Sequence, residues 1–331
     1  MMFPLLPLAI AAVGLIALTG CESTESRSSG TAPAAVRTTP LPTYTPPGDY
    51  LQGTLRLGSA PFLAPYLTEL STTFKRLHWG AYTDLLFPTN ITDDFLAGKV
   101  TVAVNTRPLN ESEKLAFTER FNGPPLEFVV GQEPIDLFVH PSNPLVTLTP
   151  EQVTSIFGTG TELVATWGRV GIQAGWAGFP IVPVAPAPES ETARAFQRTA
   201  LGGGPFNSRV MFLGGSNQVV RRVEQEPGAI GTGNARLAGG NIKAVGLQIR
   251  GQRFAIFPTR ENLMSGLYPY RSFYYLYVNP RSRPMNPLVR EFVRLALSQE
   301  GANALGRTGA YPIDGTMARQ GLATVDAFDR F

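Results

Sequence analysis

Residues 133–168, EPIDLFVHPSNPLVTLTPEQVTSIFGTGTELVATWG, spell a strand, a turn and a capped helix in succession, and this unit limits what the chain can fold into. Ile135, Leu137 and Val139 flank Phe138 in a short apolar run that Pro141, Asn143 and Pro144 bring to an end. Thr149 is placed to cap the next helix. Pro150 suits the first helical position, and Gln152, three residues after the cap, completes a capping box. Val153, Ile156 and Phe157 share one face of that helix, and Gly158 stops it. A strand followed at once by an amphipathic helix is part of an α/β layer and needs neighbours of the same kind.

Such neighbours occur on both sides. Residues 55–58 and 99–104 read as strands, with a helix from about Ala64 to Arg76 between them. Asn110 and Glu113 form a second capping box, opening a helix that carries Leu115, Phe117 and Phe121, and residues 126–130 are strand again. Further on, 180–184 and 229–231 read as strands and 191–201 and 218–225 as helices. Asn286 caps a helix from Pro287, whose Leu288, Phe292 and Leu295 fall at i, i+4 and i+7. Strands alternating with helices imply parallel strands joined by right-handed crossovers and covered on both faces. With 331 residues, 43% apolar and 16% charged, the chain suffices for about two such bodies.

The first twenty residues carry no charged side chain, and 5–18 read as the apolar region of a signal peptide, too short and too interrupted to span a bilayer. This 1–20 leader runs into Leu18–Thr19–Gly20–Cys21, similar to the lipobox of bacterial lipoproteins, which implies acylation of Cys21. Cys21 is the sole cysteine, excluding an internal disulfide and a thiolate metal cluster. Residues 21–50, rich in Ser, Thr, Pro and Ala, are expected to be an extended tether.

Lys and Arg are scattered and the net charge is +3, so no basic stripe for nucleic acid exists. His78 and His140 lack the spaced partners of a zinc site. No G-x-S-x-G elbow or P-loop occurs either, so neither metal, cofactor nor catalysis is expected.

The wording of the central unit is more specific than its pattern. Asp136–Leu137–Phe138–Val139 leading to Asn143–Pro144, then Ile156–Phe157–Gly158 and Thr166–Trp167–Gly168, resembles the phosphate-binding proteins of bacterial ABC transporters. Matching runs follow in the family's order at 226–231, 258–262, 266–269, 276–279, 291–293 and 297–301, so the likeness covers roughly 55–312. The resemblance implies a two-lobed periplasmic-binding-protein fold of type II, each lobe a mostly parallel sheet flanked by helices. Lobe 1 would be 51–130 plus 256–331, and lobe 2 would be 131–255, with hinges near 131–134 and 250–258. It also implies a monomer in the cell envelope, held to the membrane only by lipid, that passes phosphate or another oxyanion to an ABC-transporter permease.

Four loops at strand ends could meet an anion: Ser59 to Phe62, Thr106 with Arg107, and Ser190 with Thr192, which the resemblance sets at the family's corresponding positions, and Thr89 with Asn90, ahead of a short helix. Helix N-termini there would offer N–H groups to an anion. Thr92 and Ser190 also read as plain helix caps, Phe62 as a core aromatic, and Arg107 as a surface partner of Glu111.

Two departures stand against the ligand: Pro186 replaces the family's arginine and Glu191 its glycine. A carboxylate about 4 Å from a bound anion costs on the order of 4 kcal/mol at an effective dielectric near 20. Either Glu191 turns outward while Arg107 and Arg194 supply charge, or it folds in, pairs with Arg107 and leaves an envelope sensor or scaffold without the ligand.

Overall fold

The chain builds two separate five-stranded sheets, and the computed structural model describes residues 38–160, 162–280 and 285–328. The leader, Cys21 and the tether up to residue 37 lie outside these described residues. The first sheet contains β1 (Gln52–Ser59), β2 (Gly80–Leu86), β3 (Val102–Asn105), β4 (Leu126–Pro134) and β12 (Arg271–Val278), in the order β2-β1-β3-β12-β4. The second contains β5 (Asp136–Val139), β7 (Val182–Pro186), β8 (Met211–Leu213), β9 (Ala229–Gly233) and β10 (Lys243–Ala244), in the order β10-β5-β9-β7-β8. A short parallel pair joins β6 (Thr147–Leu148) to β11 (Gly246–Leu247).

In each sheet a single strand runs against the others: β12 against β3 and β4, β5 against β9 and β10. It is in both cases the first strand formed after the chain crosses from the other sheet. The parallel arrangement holds where a helix carries the chain back over its own sheet, and fails where the chain enters from outside.

The helices cover both faces of each sheet. Helices α1 (Ala64–Leu77), α2 (Ile91–Leu96) and α3 (Glu111–Phe121) follow the first three strands. Next come α4 (Pro150–Phe157), α5 (Glu191–Ala200), α6 (Ser216–Gln225) and α7 (Ala235–Ala238) around the second sheet. The chain returns through α8 (Arg260–Met264) and closes the first body with α9 (Pro287–Ala296), α10 (Gln299–Leu305) and α11 (Gly315–Phe328). Leu57, Val104, Leu276 and Phe292 share one core, and Leu137, Ile156, Phe196 and Ile230 share another. Both capping boxes form, Thr149 with Gln152 and Asn110 with Glu113.

The crossings differ from the sequence expectation. β4 does not end at Val130 but continues to Pro134, where Gln132 and Glu133 are buried despite their polarity. Residues 256–270, assigned by resemblance to lobe 1, pack on the second core. Ile256 exchanges backbone hydrogen bonds with Leu247, the Tyr268 hydroxyl donates to the Ile135 carbonyl at 3.0 Å, and Leu263 and Tyr270 join the same cluster. The return crossing therefore lies at Tyr270 and Arg271. Arg271 faces Pro134 across the ladder, so the two crossings run side by side.

Two buried acids mark this place. Glu133 accepts hydrogen bonds from Asn234 Nδ2 of the second body (3.0 Å) and from the Tyr274 hydroxyl of the first (3.1 Å). Asp136 accepts from the Ala235 backbone N–H at 2.8 Å. Burial raises both carboxyls above the usual range, Asp136 to about 7.

The tether is shorter than composition suggested, because residues 39–44 dock on the first body. The Thr39 N–H donates to Asp314 (2.7 Å), Pro42 O accepts from the Gln299 N–H (2.9 Å), and the Tyr44 N–H donates to Glu300 (2.8 Å). Buried Tyr44 sets its hydroxyl 2.7 Å from His78 Nε2 and donates to Glu291 at 3.0 Å. Chain approach is close enough that a Cβ at Gly315 would stand 2.1 Å from the Pro40 carbonyl oxygen. Prolines preset the extended backbone and so lower the entropy lost on docking, while Tyr44 supplies the buried area.

Substituting Tyr44→Phe is expected to cost about 1–3 kcal/mol in denaturant unfolding, since His78 and Glu291 lose the hydroxyl between them; an unchanged midpoint would refute the docking. For Asp136, the folded value lies above the unfolded one, so its contribution is fully present below about pH 4 and is lost as pH rises through about 7. The thermal midpoint should fall between about pH 5 and about pH 8, and Asp136→Asn should flatten that fall. Equal slopes in both proteins would contradict the assignment.

Candidate functional site

The carboxyl ends of β1 and β3 lie side by side, with Ser59 in register with Val104. Ser59 is fully buried, and its hydroxyl donates to the neighbouring Ala60 carbonyl at 3.1 Å. Phe62, on the turn into α1, is 52% exposed and sets its ring edge-on to Tyr274, so it is not a core aromatic. Beyond β2, Thr89 and Asn90 sit on an exposed turn. Asn90 occupies the cap position of α2 without capping it, its Nδ2 instead donating to Asp93 at 2.6 Å. Thr92, one residue into the helix, is buried and is not the cap.

Asn105 ties these loops together. Its Nδ2 donates to Thr92 Oγ1 (2.9 Å), and its Oδ1 accepts from the Thr106 N–H (2.8 Å) in a tight turn that aims the chain at Arg107. Thr106 is buried, and its carbonyl accepts from the Ser272 hydroxyl at 3.3 Å. The guanidinium of Arg107 grips Glu113 with both ends, Nη1 at 2.8 Å and Nη2 at 2.6 Å, and Nη2 also stands 3.4 Å from Thr92 Oγ1. Arg107 holds the Glu113 carboxyl below the usual range and is itself raised in return. The expected partner, Glu111, pairs with Lys114 instead. Glu113 satisfies the Asn110 N–H and Arg107 at once, and a two-point guanidinium contact outcompetes the exposed single one.

On the second body, Ser190 caps α5, accepting from the Ala193 N–H at 3.3 Å, and Thr192 lies half-buried in the first turn. Pro186 ends β7. Glu191 forms a salt bridge with Arg198, seven residues along the same helix. Its charge reaches further, since it raises Arg107 and Glu133, both on the first sheet's side. Arg194 is exposed. Glu191 does not pair with Arg107, as the second sequence alternative had it: its ion-pair partner is Arg198. The i, i+7 spacing on one helix face was the available signal. Helix α5 also packs against β12, and Phe196 meets Tyr270 edge-on with ring centroids 6.1 Å apart.

The structure thus gathers Thr92, Thr106 and Arg107 through the Asn105 turn and packs α5 against the neighbouring β12. It leaves Thr89 and Asn90 on an exposed turn. Two arginine–carboxylate pairs form, Arg107 with Glu113 on the first body and Glu191 with Arg198 on the second, so each of these charges has a partner. The chemistry such side chains can offer a small anion is that of directed hydroxyl, amide and guanidinium donors rather than of surplus positive charge. Among the described residues no group of three His, Cys, Asp or Glu side chains is placed to hold a metal ion, and no helix is long and apolar enough to cross a membrane.

A sequence profile described as the PBP superfamily domain matches residues 49–300. The phosphate-binding protein PstS of Pseudomonas aeruginosa is 27% identical over 281 residues, covering 82% of this chain and 87% of that protein. Among solved structures, PstS from Borrelia burgdorferi aligns with a TM-score of 0.61 at 14% identity, covering 80% of this chain and all of that one. An ABC-type phosphate transport receptor from Vibrio cholerae aligns with a TM-score of 0.59 at 16% identity, covering 78% of this chain and all of that one. Both likenesses carry the two-sheet fold, and the profile spans well over half of the sequence: the chain belongs to the PBP superfamily.

Proposed function

We propose that this chain is a solute-binding receptor, not an enzyme, which captures phosphate or a similar oxyanion between its two bodies and presents it to an ABC-transporter permease. The observations that support this reading are the Asn105–Thr106–Arg107 turn, tied by hydrogen bond to the first turn of α2, and the packing of α5 against β12, with the Glu191 charge near enough to raise Arg107. Helix N-termini beyond strand ends favour anions, and relatives named as phosphate-binding proteins align over most of the chain. Ser59, Phe62, Thr106, Arg107, Ser190 and Thr192 are the proposed contacts, with Thr89 and Asn90 at the rim. The proposed lobes are 51–134 with the part from Arg271 onward, and 135–270. A lipid on Cys21 would hold the monomeric receptor at the membrane, its tether ending where Thr39 docks.

A second reading, an envelope sensor or scaffold without the ligand, draws on one observation. Each arginine of the cleft already faces a carboxylate, Glu113 or Glu191.

Titration calorimetry with phosphate, and sulfate in parallel, separates the two. The receptor reading predicts saturable heat from phosphate, weakened about tenfold or more by Arg107→Gln and strengthened about tenfold by Glu191→Gln, which removes the like charge. Absence of heat at about 10 mM phosphate in the parent and in Glu191→Gln would leave the sensor or scaffold reading.

A further inference from the structure

Beside the crossing strand, on the side of α10, a cavity of about 230 Å³ is lined by Arg236, Arg260, Gln299, Asn303 and Tyr311 among others, none of them acidic. Arg236 belongs to α7 of the second body and Arg260 opens α8 on the return segment, whereas Gln299 and Asn303 lie on α10 of the first. The Arg236 guanidinium lies over the Tyr311 ring, 4.7 Å from its centroid. Tyr311 exchanges backbone hydrogen bonds with Gln132 in both directions, at 2.9 and 2.7 Å, which fixes that ring to β4. Asp136 feels the Arg236 charge, but among the described residues neither Arg236 nor Arg260 forms a salt bridge.

We propose that this cavity is a second ligand site, for a small di- or tricarboxylate. Two forked guanidiniums from separate elements each match one planar carboxylate in a two-point contact. The Tyr311 ring covers a face of Arg236 and leaves its N–H edges for the ligand. Asn303, whose side-chain oxygen accepts from Gln299 Nε2 at 3.0 Å, keeps amide N–H groups to offer. The volume exceeds what a single tetrahedral oxyanion fills and leaves room for a short carbon skeleton, while remaining below that of drug-sized pockets. A ligand held by Arg236 and α10 together would tie the two bodies next to their crossing, so its binding is linked to their relative movement.

Calorimetry with citrate as the probe tests this. Citrate is expected to bind the full chain at millimolar concentration or tighter, and the double variant Arg236→Gln/Arg260→Gln to bind at least about tenfold more weakly. Arg260→Glu alone, at an exposed position, should repeat the loss if the double variant is damaged. Arg107→Gln should leave citrate binding intact, which separates this site from the cleft whatever phosphate does there. No heat at about 10 mM citrate, equal binding in the double variant and in Arg260→Glu, or loss on Arg107→Gln would overturn the proposal.

Discussion

The polypeptide from β4 into β5 belongs to both sheets, and the rest of the molecule is arranged around its crossing. Pro134 lies in register with Arg271, so the outward and return crossings are neighbours in one ladder and the two bodies are joined along a single narrow seam. Glu133 is buried at that seam and bound from both sides, by Asn234 and by Tyr274. Removing either partner would leave a desolvated carboxyl short of a donor, which is costly, so the seam favours a defined set of hinge geometries over free rotation. In the proposed receptor, closure over the face between the bodies would be the motion that encloses a ligand.

That face is electrostatically quiet. Arg107 is committed to Glu113 in a two-point contact and Glu191 to Arg198, although the Glu191 charge also raises Arg107. A pocket of this kind selects by geometry, because hydroxyl and amide donors left unmatched by a wrong ligand are penalised individually. On the proposed receptor reading, affinity for a dianion would depend on how far Glu191 is kept away from it.

Local chemistry made much of this legible. The capping boxes at Thr149 and Asn110, the Asn286 cap and the stripe of Leu288, Phe292 and Leu295 depend on residues within one helical turn or two of each other, and all formed as read. What remained hidden depends on contacts far apart in sequence. Glu113 was visible as a cap but not as the partner of Arg107, and Glu133 and Asp136 looked like ordinary polar residues beside a strand. Tyr44 was lost in a proline-rich composition, although an aromatic in such a stretch is a docking signal once Glu291 and His78 are brought to it. The β4 strand was cut short at Val130 because its last residues are polar, and only pairing with β12 explains their burial.

Hinge closure over the cleft is the claim on which the receptor account stands, and small-angle X-ray scattering of the chain with and without saturating phosphate measures it directly. The account predicts a smaller radius of gyration and a narrower distance distribution when phosphate is bound. Superimposable scattering curves, at a phosphate concentration where binding is established, would contradict it.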